Sequence, residues 1–148
     1  MQVPDPVSAI LKQKSERIWS IAPTATVYEA LSVMADKEIG SLLVMDGGHL
    51  VGLVSERDYA RKVILRGRSS KETRVDDIMR SPPVTVGPGC SVDEAMRIIT
   101  ENRVRHLPVL DSNGAVLGIV SIGDLVMWII TSHQQTIEQL QSYIAGSA

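Results

Sequence analysis

The sequence contains no phenylalanine, and aromatic residues of all kinds make up only 3% of it. Its core must therefore be built from Val, Ile, Leu, Met and Ala, since 44% of the residues are hydrophobic. Aromatic rings on which bases could stack are scarce, and a formal net charge of -2 provides no dominant basic surface. These two features argue against a general nucleic-acid-binding protein.

Cysteine and long apolar runs are also scarce. The single cysteine, Cys90, excludes an internal disulfide bond and is typical of a reducing compartment. No run approaches the roughly 18 apolar residues of a membrane span, and the first residues lack a signal-peptide pattern. No second His or Cys lies at metal-ligand spacing from His106. We therefore expect a cytoplasmic protein with no metal and no catalytic cofactor, which does not act at a membrane.

The clearest positive feature is an internal duplication. The segment GLVSERD at 52–58 returns as GIVSIGD at 118–124. Identical residues recur at an offset of 65, which becomes 66 after one inserted turn residue; the pairs include Val27/Val92, Glu29/Glu94, Ala30/Ala95, Leu42/Leu107, Val44/Val109, Asp46/Asp111, Gly52/Gly118, Ser55/Ser121 and Asp58/Asp124. So many matches at a nearly constant offset indicate two copies of one unit within the 148 residues.

Each copy predicts the order β-α-β-β-α, preceded by a short lead-in helix. In the first copy the predicted elements are the lead-in helix Val7 to Lys14, a strand Arg17–Ile21, a helix capped by Thr26 and Glu29 and ended by Gly40, strands Leu42–Met45 and Leu50–Val54 around the turn 46–48, and a helix from Glu56 to Leu65. In the second copy 75–79 repeats the lead-in, 83–88 the first strand, Ser91 with Glu94 the capping box, and 107–110 with 116–120 the hairpin.

These patterns predict an α+β fold. One copy alone would bury little apolar surface, so we expect the two to pack sheet to sheet about a pseudo-twofold axis, with two equivalent clefts at their junction. The predicted organisation is repeat 1 with its lead-in helix at 1–66, a polar linker at 67–74, repeat 2 at 75–131 and a helical extension at 132–148. The extension carries an apolar stripe with no partner inside one repeat, which favours a homodimer.

The repeated Ser-x-x-Asp motif suggests chemistry. A serine that ends a strand at a helix start leaves backbone N–H groups and a positive dipole end, which suit a phosphate, so Ser55 and Ser121 are candidate phosphate contacts. Asp58 and Asp124, one turn further in, could each accept two hydrogen bonds from a ribose diol. The alternative is purely structural, because Ser-x-x-Asp is itself a capping-box variant.

Basic residues lie beside the first motif only. Arg57 and Arg61 are candidate phosphate contacts, whereas Lys62 and Arg74 are interpreted as solvated side chains. The second motif has Gly123 and Met127 at the equivalent positions. The second site could instead use Arg105 and His106, or take a ligand with fewer phosphates. Cys90 lies near a helix start, which could lower its thiol pKa, but no His or Asp pattern supports a nucleophile.

The two Gly-apolar-apolar-Ser-x-x-Asp segments, each after a hairpin and before a helix, resemble the tandem cystathionine-β-synthase-type (CBS) domain pair, or Bateman module. The segment Arg105-His106-Leu107-Pro108-Val109 strengthens the resemblance, and 56–63 resembles small stand-alone bacterial members. The resemblance implies adenosine-containing ligands bound in clefts between the repeats, and modules that dimerise. It implies that the adenine is bordered by Ser20, Ile21 and Ala22 and by Thr85, Val86 and Gly87, and that Gly40, Ser41, Arg105 and Pro108 line the clefts.

We therefore predict a non-enzymatic regulatory module that binds AMP, ADP, ATP or NAD, with S-adenosylmethionine less favoured. Ligand would change the conformation of a dimer and so signal to a protein partner. Two alternatives remain open at this point. The chain could be a pure dimerisation scaffold without a physiological nucleotide, or an enzyme acting on nucleotides, although no general base or metal site is visible.

Overall fold

The computed structural model describes residues 3–14 and 17–146. It confirms an α+β fold. The elements are α1 Val7–Gln13, β1 Ser20–Ile21, α2 Val27–Lys37, β2 Ser41–Asp46, β3 His49–Ser55, α3 Glu56–Lys62, 3₁₀ turns at Ile64–Arg66 and Val75–Asp77, α4 Val92–Asn102, β4 His106–Leu110, β5 Val116–Ser121 and α5 Ile122–Gly146.

One compact unit consists of Glu16–Thr85 with Ser112–Val116. Its sheet has the order β1-β2-β3, with β1 parallel and β3 antiparallel to β2. The turn between β2 and β3 contains Gly47 and Gly48, whose φ angles of 58° and 82° are those that glycine adopts without strain. Its apolar core joins one face of α2 to the sheet and consists of Val27, Ala30, Met34, Leu42, Val44, Val54, Val63, Val75 and Ile78.

The other unit consists of Met1–Ser15, Val86–Asp111 and Leu117–Ala148. It contains α1, α4 and α5 and a two-stranded sheet of β4 and β5. Its buried side chains follow the same apolar positions as in the first repeat and include Val7, Ile10, Val92, Ala95, Ile99, Leu107, Val109, Val120 and Leu125. The hydrophobic stripe of each repeat therefore packs as its periodicity predicts.

Each unit contains the body of one repeat together with the lead-in segment of the other repeat. In the unit with α1, the Val7 N–H donates to the Cys90 carbonyl at 2.8 Å. In the other unit, the Val75 N–H donates to the Ala25 carbonyl, also at 2.8 Å. The two bonds occupy equivalent positions of the duplication, so both lead-in segments dock in the same way.

Several element boundaries differ from those predicted. The first strand is only Ser20–Ile21, and 83–88 contributes a single parallel bridge, Val86 to Val109, because prolines on either side of Val86 remove backbone donors. The second lead-in segment forms a 3₁₀ turn rather than an α-helix. The predicted end of α2 at Gly40 is wrong, because Glu38 adopts the left-handed conformation with φ 55° and its N–H bonds back to Ala35 and Met34.

The helix caps confirm one predicted capping box and alter the other. Thr26 and Glu29 form the full reciprocal box at the start of α2. At α4, Ser91 accepts a hydrogen bond from the Glu94 N–H at 3.1 Å, but the Glu94 carboxylate accepts from Arg97. The helix predicted from Glu56 to Leu65 also ends early. Helix α3 stops at Lys62, and the chain continues as the 3₁₀ turn Ile64–Arg66.

Candidate functional site

The first candidate site is the junction of β3 and α3. Ser55 is the last residue of the strand and the N-cap of the helix, with an extended backbone at φ -131°. Its Oγ accepts a hydrogen bond from the Asp58 N–H at 3.2 Å and donates to Asp58 Oδ2 at 3.0 Å. The Ser55 N–H also donates to Asp58 Oδ2, at 2.9 Å. The two residues therefore form the capping box that the structural alternative predicts.

Asp58 has a further neighbour on its own helix. Lys62 Nζ lies 3.6 Å from Asp58 Oδ1 and donates a hydrogen bond to the Ile78 carbonyl at 2.9 Å. The Lys62 side chain is 44% exposed, as a solvated side chain would be, but it also makes these two contacts. The spacing of four residues between Asp58 and Lys62 is a signal from which the ion pair could have been predicted. Arg74 is exposed as expected and pairs with Asp76.

The second candidate site, where β5 runs into α5, repeats this geometry. The Asp124 N–H donates to Ser121 Oγ at 3.1 Å, and the Ser121 N–H donates to Asp124 Oδ2 at 2.8 Å. The backbone is also equivalent. The Glu56 N–H donates to the Gly40 carbonyl at 3.1 Å in the first repeat, and the Ile122 N–H to the Arg105 carbonyl at 2.8 Å in the second.

The second site contains a lysine that no sequence pattern predicted there. Lys14, which follows α1, donates to Asp124 Oδ2 at 2.7 Å and to the Ile119 carbonyl at 3.0 Å. Burial of the Asp124 carboxyl tends to raise its pKa, but the hydrogen bonds from Lys14 and the Ser121 backbone lower it more, so the net pKa is below its ordinary value. Lys14 and Asp124 are 110 residues apart in the chain, and no local pattern connects them.

The other predicted lining residues of the first repeat lie along its sheet. Ser41 pairs directly with Ser55 across β2 and β3 and is buried. Ser20 and Ile21 pair with Leu43 and Val44, two residues further along β2, and Ala22 follows them. The strand register therefore places Gly40 and Ser41 against the start of α3, while Ser20 to Ala22 lie further along the same sheet.

In the second repeat, the bridge of Val86 to Val109 places the segment around Gly87 beside β4. The Val86 N–H donates to the carbonyl of Pro108, which is itself buried. Thr85, on the other side of Val86, is half-buried. The backbone of Arg105 contacts the start of α5 directly, as its equivalent Gly40 contacts α3.

His106 begins β4 and is half-buried. Burial lowers the pKa of its imidazole, the positive charges of Lys14 and Arg105 lower it further, and the negative charge of Asp124 opposes both. A neutral imidazole could give a phosphate a hydrogen bond but no charge. Arg57 is half-buried and Arg61 exposed on α3, so cationic side chains are available in the first repeat.

Cys90 does not have the environment of a reactive thiol. Burial and the charge of Glu94 raise its pKa, and Arg97 opposes them only in part, so the lowering expected from a helix start does not occur. The described residues contain no group of three His, Cys, Asp or Glu side chains placed to hold a metal ion. Over the same 3–14 and 17–146, no helix has the length and apolar character needed to cross a bilayer.

Comparisons with known proteins agree with this architecture. The chain is 39% identical over 150 residues to the mitochondrial CBS domain-containing protein CBSX3 of Arabidopsis thaliana, covering 95% of this chain and 72% of that one. A solved CBS-domain protein from Burkholderia ambifaria is 49% identical, with a TM-score of 0.82 over 86% of this chain and 95% of that one. The CBS domain pair of protein MJ0100, solved with 5′-methylthioadenosine and S-adenosyl-L-methionine, has the same fold, with a TM-score of 0.76 at 22% identity over 86% of this chain and 98% of that one.

The family match coincides with the duplication. The CBS domain family matches residues 7–65 and again residues 75–131. Each matched segment contains one Ser-x-x-Asp motif and, near its end, the start of the helix that the motif begins. The chain therefore belongs to the CBS domain family, as a tandem pair of CBS domains.

Proposed function

We propose that this CBS domain pair is a non-catalytic regulatory module that binds AMP, ADP, ATP or NAD at the starts of α3 and α5. The observation that carries the proposal is the duplicated geometry. In both repeats a strand ends in a serine, and a carboxylate follows one helical turn later. The first N–H of the helix donates to the carbonyl of the residue before the first strand of the hairpin, which is Gly40 before β2 and Arg105 before β4. Such a helix start offers backbone donors and a positive dipole end to a phosphate.

The carboxylates supply acceptors for a sugar. In each repeat the capping bonds use Oδ2 of the aspartate, so Oδ1 of Asp58 and of Asp124 remains a candidate acceptor for a ribose hydroxyl. The Ser55 hydroxyl hydrogen, which is donated to Asp58 Oδ2, could turn towards a phosphate while the oxygen still accepts from the Asp58 N–H. The capping role and the binding role are therefore chemically compatible in one residue.

The adenosine class is supported by a structural neighbour. The MJ0100 domain pair was solved with two adenosine compounds, and it shares this fold. In this chain, Arg57 and Arg61 on α3 favour a ligand with several phosphates at the first repeat. The second repeat has Gly123 and Met127 at those positions and offers Arg105 and His106 at the start of β4. We therefore expect the two repeats to differ in affinity.

Regulation would operate by population shift. A ligand that contacts one arrangement of the protein better than another favours that arrangement by its difference in affinity. We propose that the protein acts as a homodimer in the cytoplasm and that ligand binding alters a surface read by a protein partner. No step of this mechanism requires a catalytic group.

Isothermal titration calorimetry with AMP, ADP, ATP, NAD and S-adenosylmethionine tests the proposal. Asp58→Ala and Asp124→Ala are each expected to remove one class of binding site and leave the fold intact. Asp36→Ala, an exposed acid near the end of α2, is the matched control and should bind as the unchanged protein does. Ligand at a hundredfold excess over Kd should stabilise the protein by about 2.7 kcal/mol. If both site variants bind normally, the ribose assignment is wrong.

A second candidate function is a dimerisation scaffold, and a specific observation favours it. Ser55 with Asp58, and Ser121 with Asp124, already satisfy one another as helix caps. A scaffold predicts no thermal stabilisation by any compound in the panel. Product analysis after incubation with ATP or NAD completes the comparison, because turnover of either would contradict a non-catalytic module.

A further inference from the structure

The aspartate of the second repeat already holds a cation from a distant part of the chain. Lys14 Nζ and Asp124 Oδ2 are 2.7 Å apart, and their side chains are only 20% and 24% exposed. A second hydrogen bond, to the Ile119 carbonyl at 3.0 Å, fixes the ammonium against β5. The contact is therefore more sheltered from solvent than a typical surface ion pair.

The hydrogen bonds to Asp124 leave little capacity on one of its oxygens. Oδ2 accepts from Lys14 Nζ and from the Ser121 N–H at 2.8 Å, and a carboxylate oxygen has two lone pairs. A ribose diol that used both carboxylate oxygens would have to compete for Oδ2. A hydroxyl that binds at Oδ1 would leave the lysine in place, whereas a diol that bridges both oxygens would have to displace it.

In the first repeat Asp58 Oδ2 also accepts two hydrogen bonds, from the N–H and the hydroxyl of Ser55, but both donors belong to the motif itself. The lysine of this repeat, Lys62, comes from the same helix as Asp58 and lies 3.6 Å from Oδ1, which is longer than a hydrogen bond. The position of Lys14 relative to its lead-in segment is occupied by a proline, Pro82, in the second lead-in. Among the described residues, the tight contact between a lead-in lysine and the motif aspartate is therefore found in the second repeat and not in the first.

We propose that Lys14 is a specificity-determining residue of the second repeat, an internal competitor that a ribose diol must displace from Asp124 to bridge both carboxylate oxygens. The inference rests on the proposed function and deepens it. Displacing Lys14 costs free energy and so weakens ligand binding at Asp124. It also releases Lys14, the residue that follows α1, from its contact. Binding at the second repeat and release of the end of α1 are then coupled, and the coupling is reciprocal.

The test measures adenosine and AMP binding in chains that carry Asp58→Ala, so that only the second repeat contributes. Lys14→Gln, which keeps a donor for the Ile119 carbonyl but removes the charge, should raise the affinity for both compounds about five- to tenfold. Lys14→Arg keeps the charge and should bind as the parent chain does. Lys12→Gln changes an exposed lysine of the same helix and is the matched control, with no expected effect.

The outcomes separate this inference from the proposed function. Unchanged or weaker binding by Lys14→Gln overturns the inference, and a loss for AMP but not for adenosine would make Lys14 a phosphate ligand instead. A third result is that chains with Asp58 bind, whereas Asp58→Ala chains bind neither compound with or without Lys14→Gln. That result overturns the inference and leaves the proposed function of the first repeat standing. Absence of binding in every chain overturns the proposed function, and this inference with it.

Chemical labelling gives an independent readout. The reactivity of the Lys14 amine towards an acetylating reagent, followed by mass spectrometry, should rise in saturating AMP relative to that of Lys12. A fall in Lys14 reactivity would place the ammonium against the ligand and contradict the competitor role.

Discussion

At the residue scale, His106 shows how one buried group responds to its surroundings. Its imidazole is half-buried at the start of β4, where burial disfavours the imidazolium form. The neighbouring charges of Lys14 and Arg105 act in the same direction, and Asp124 acts against them. The pKa in the folded protein is therefore below the ordinary value of 6.5 that the unfolded chain retains.

This shift predicts a pH-dependent loss of stability. Below about pH 6.5 the unfolded state binds more protons at this residue than the folded state does, so the free energy of unfolding should fall as the pH falls. His106→Gln should lose less stability than the unchanged protein between about pH 7.5 and about pH 5.5. Urea unfolding at the two pH values measures the difference. His49→Gln, at an exposed position, is the control and should lose as much stability between the two pH values as the unchanged protein does. An equal loss of unfolding free energy in all three proteins would contradict the prediction.

At the element scale, the features that depend on neighbouring residues could be predicted from the sequence, whereas contacts between distant segments could not. The turn at Gly47 and Gly48, the cap at Thr26 and the helix start at Ser55 depend on residues a few positions apart, and all of them form. The docking of α1 beside Cys90 and the contact of Lys14 with Asp124 depend on residues more than 80 positions apart. Amphipathic periodicity shows which face of a helix is buried but does not identify the segment that covers it.

The repeated motif glycines make a matched pair of element-scale tests. A Cβ at Gly52 would lie 2.6 Å from Met79 Sδ and 3.0 Å from the Arg80 carbonyl oxygen, whereas at Gly118 it would meet the end of the Leu11 side chain at 2.7 Å. Each glycine thus lets a lead-in segment approach its strand closely. A flexible leucine can move more easily than a backbone carbonyl, so the first site should tolerate a methyl group less well than the second.

Gly52→Ala should therefore destabilise the protein by about 1–3 kcal/mol, and Gly118→Ala by less. The measurement is the midpoint of urea unfolding at neutral pH. Gly89→Ala is the control, because a Cβ there would meet nothing within 4 Å, and its effect should stay within about 0.5 kcal/mol. If Gly52→Ala and Gly89→Ala destabilise the protein equally, the close approach of the lead-in segment is not the reason why the motif has glycine at this position.

At the scale of the whole molecule, α5 has an apolar face that remains exposed in a single chain. The helix runs from Ile122 to Gly146, well beyond the length of its equivalent α3. Large hydrophobic side chains remain exposed along it, among them Ile130, Ile137, Leu140, Tyr143 and Ile144. Their spacing of three, four and seven residues places most of them on one stripe, the pattern of a helix that packs against another apolar surface.

A second copy of the chain is the partner that this stripe predicts, because a symmetric dimer buries the same face of both helices. Leu140, which is 59% exposed, is a suitable position for the test. Leu140→Glu places a charge in the proposed contact and should halve the mass measured by sedimentation equilibrium, while Gln139→Glu, an exposed neighbour with the same added charge, should leave it unchanged. Because association stabilises the folded state by mass action, the unchanged protein should also show a Tm that rises with concentration, and Leu140→Glu should not. One mass for all three proteins would mean that α5 is not the dimer contact.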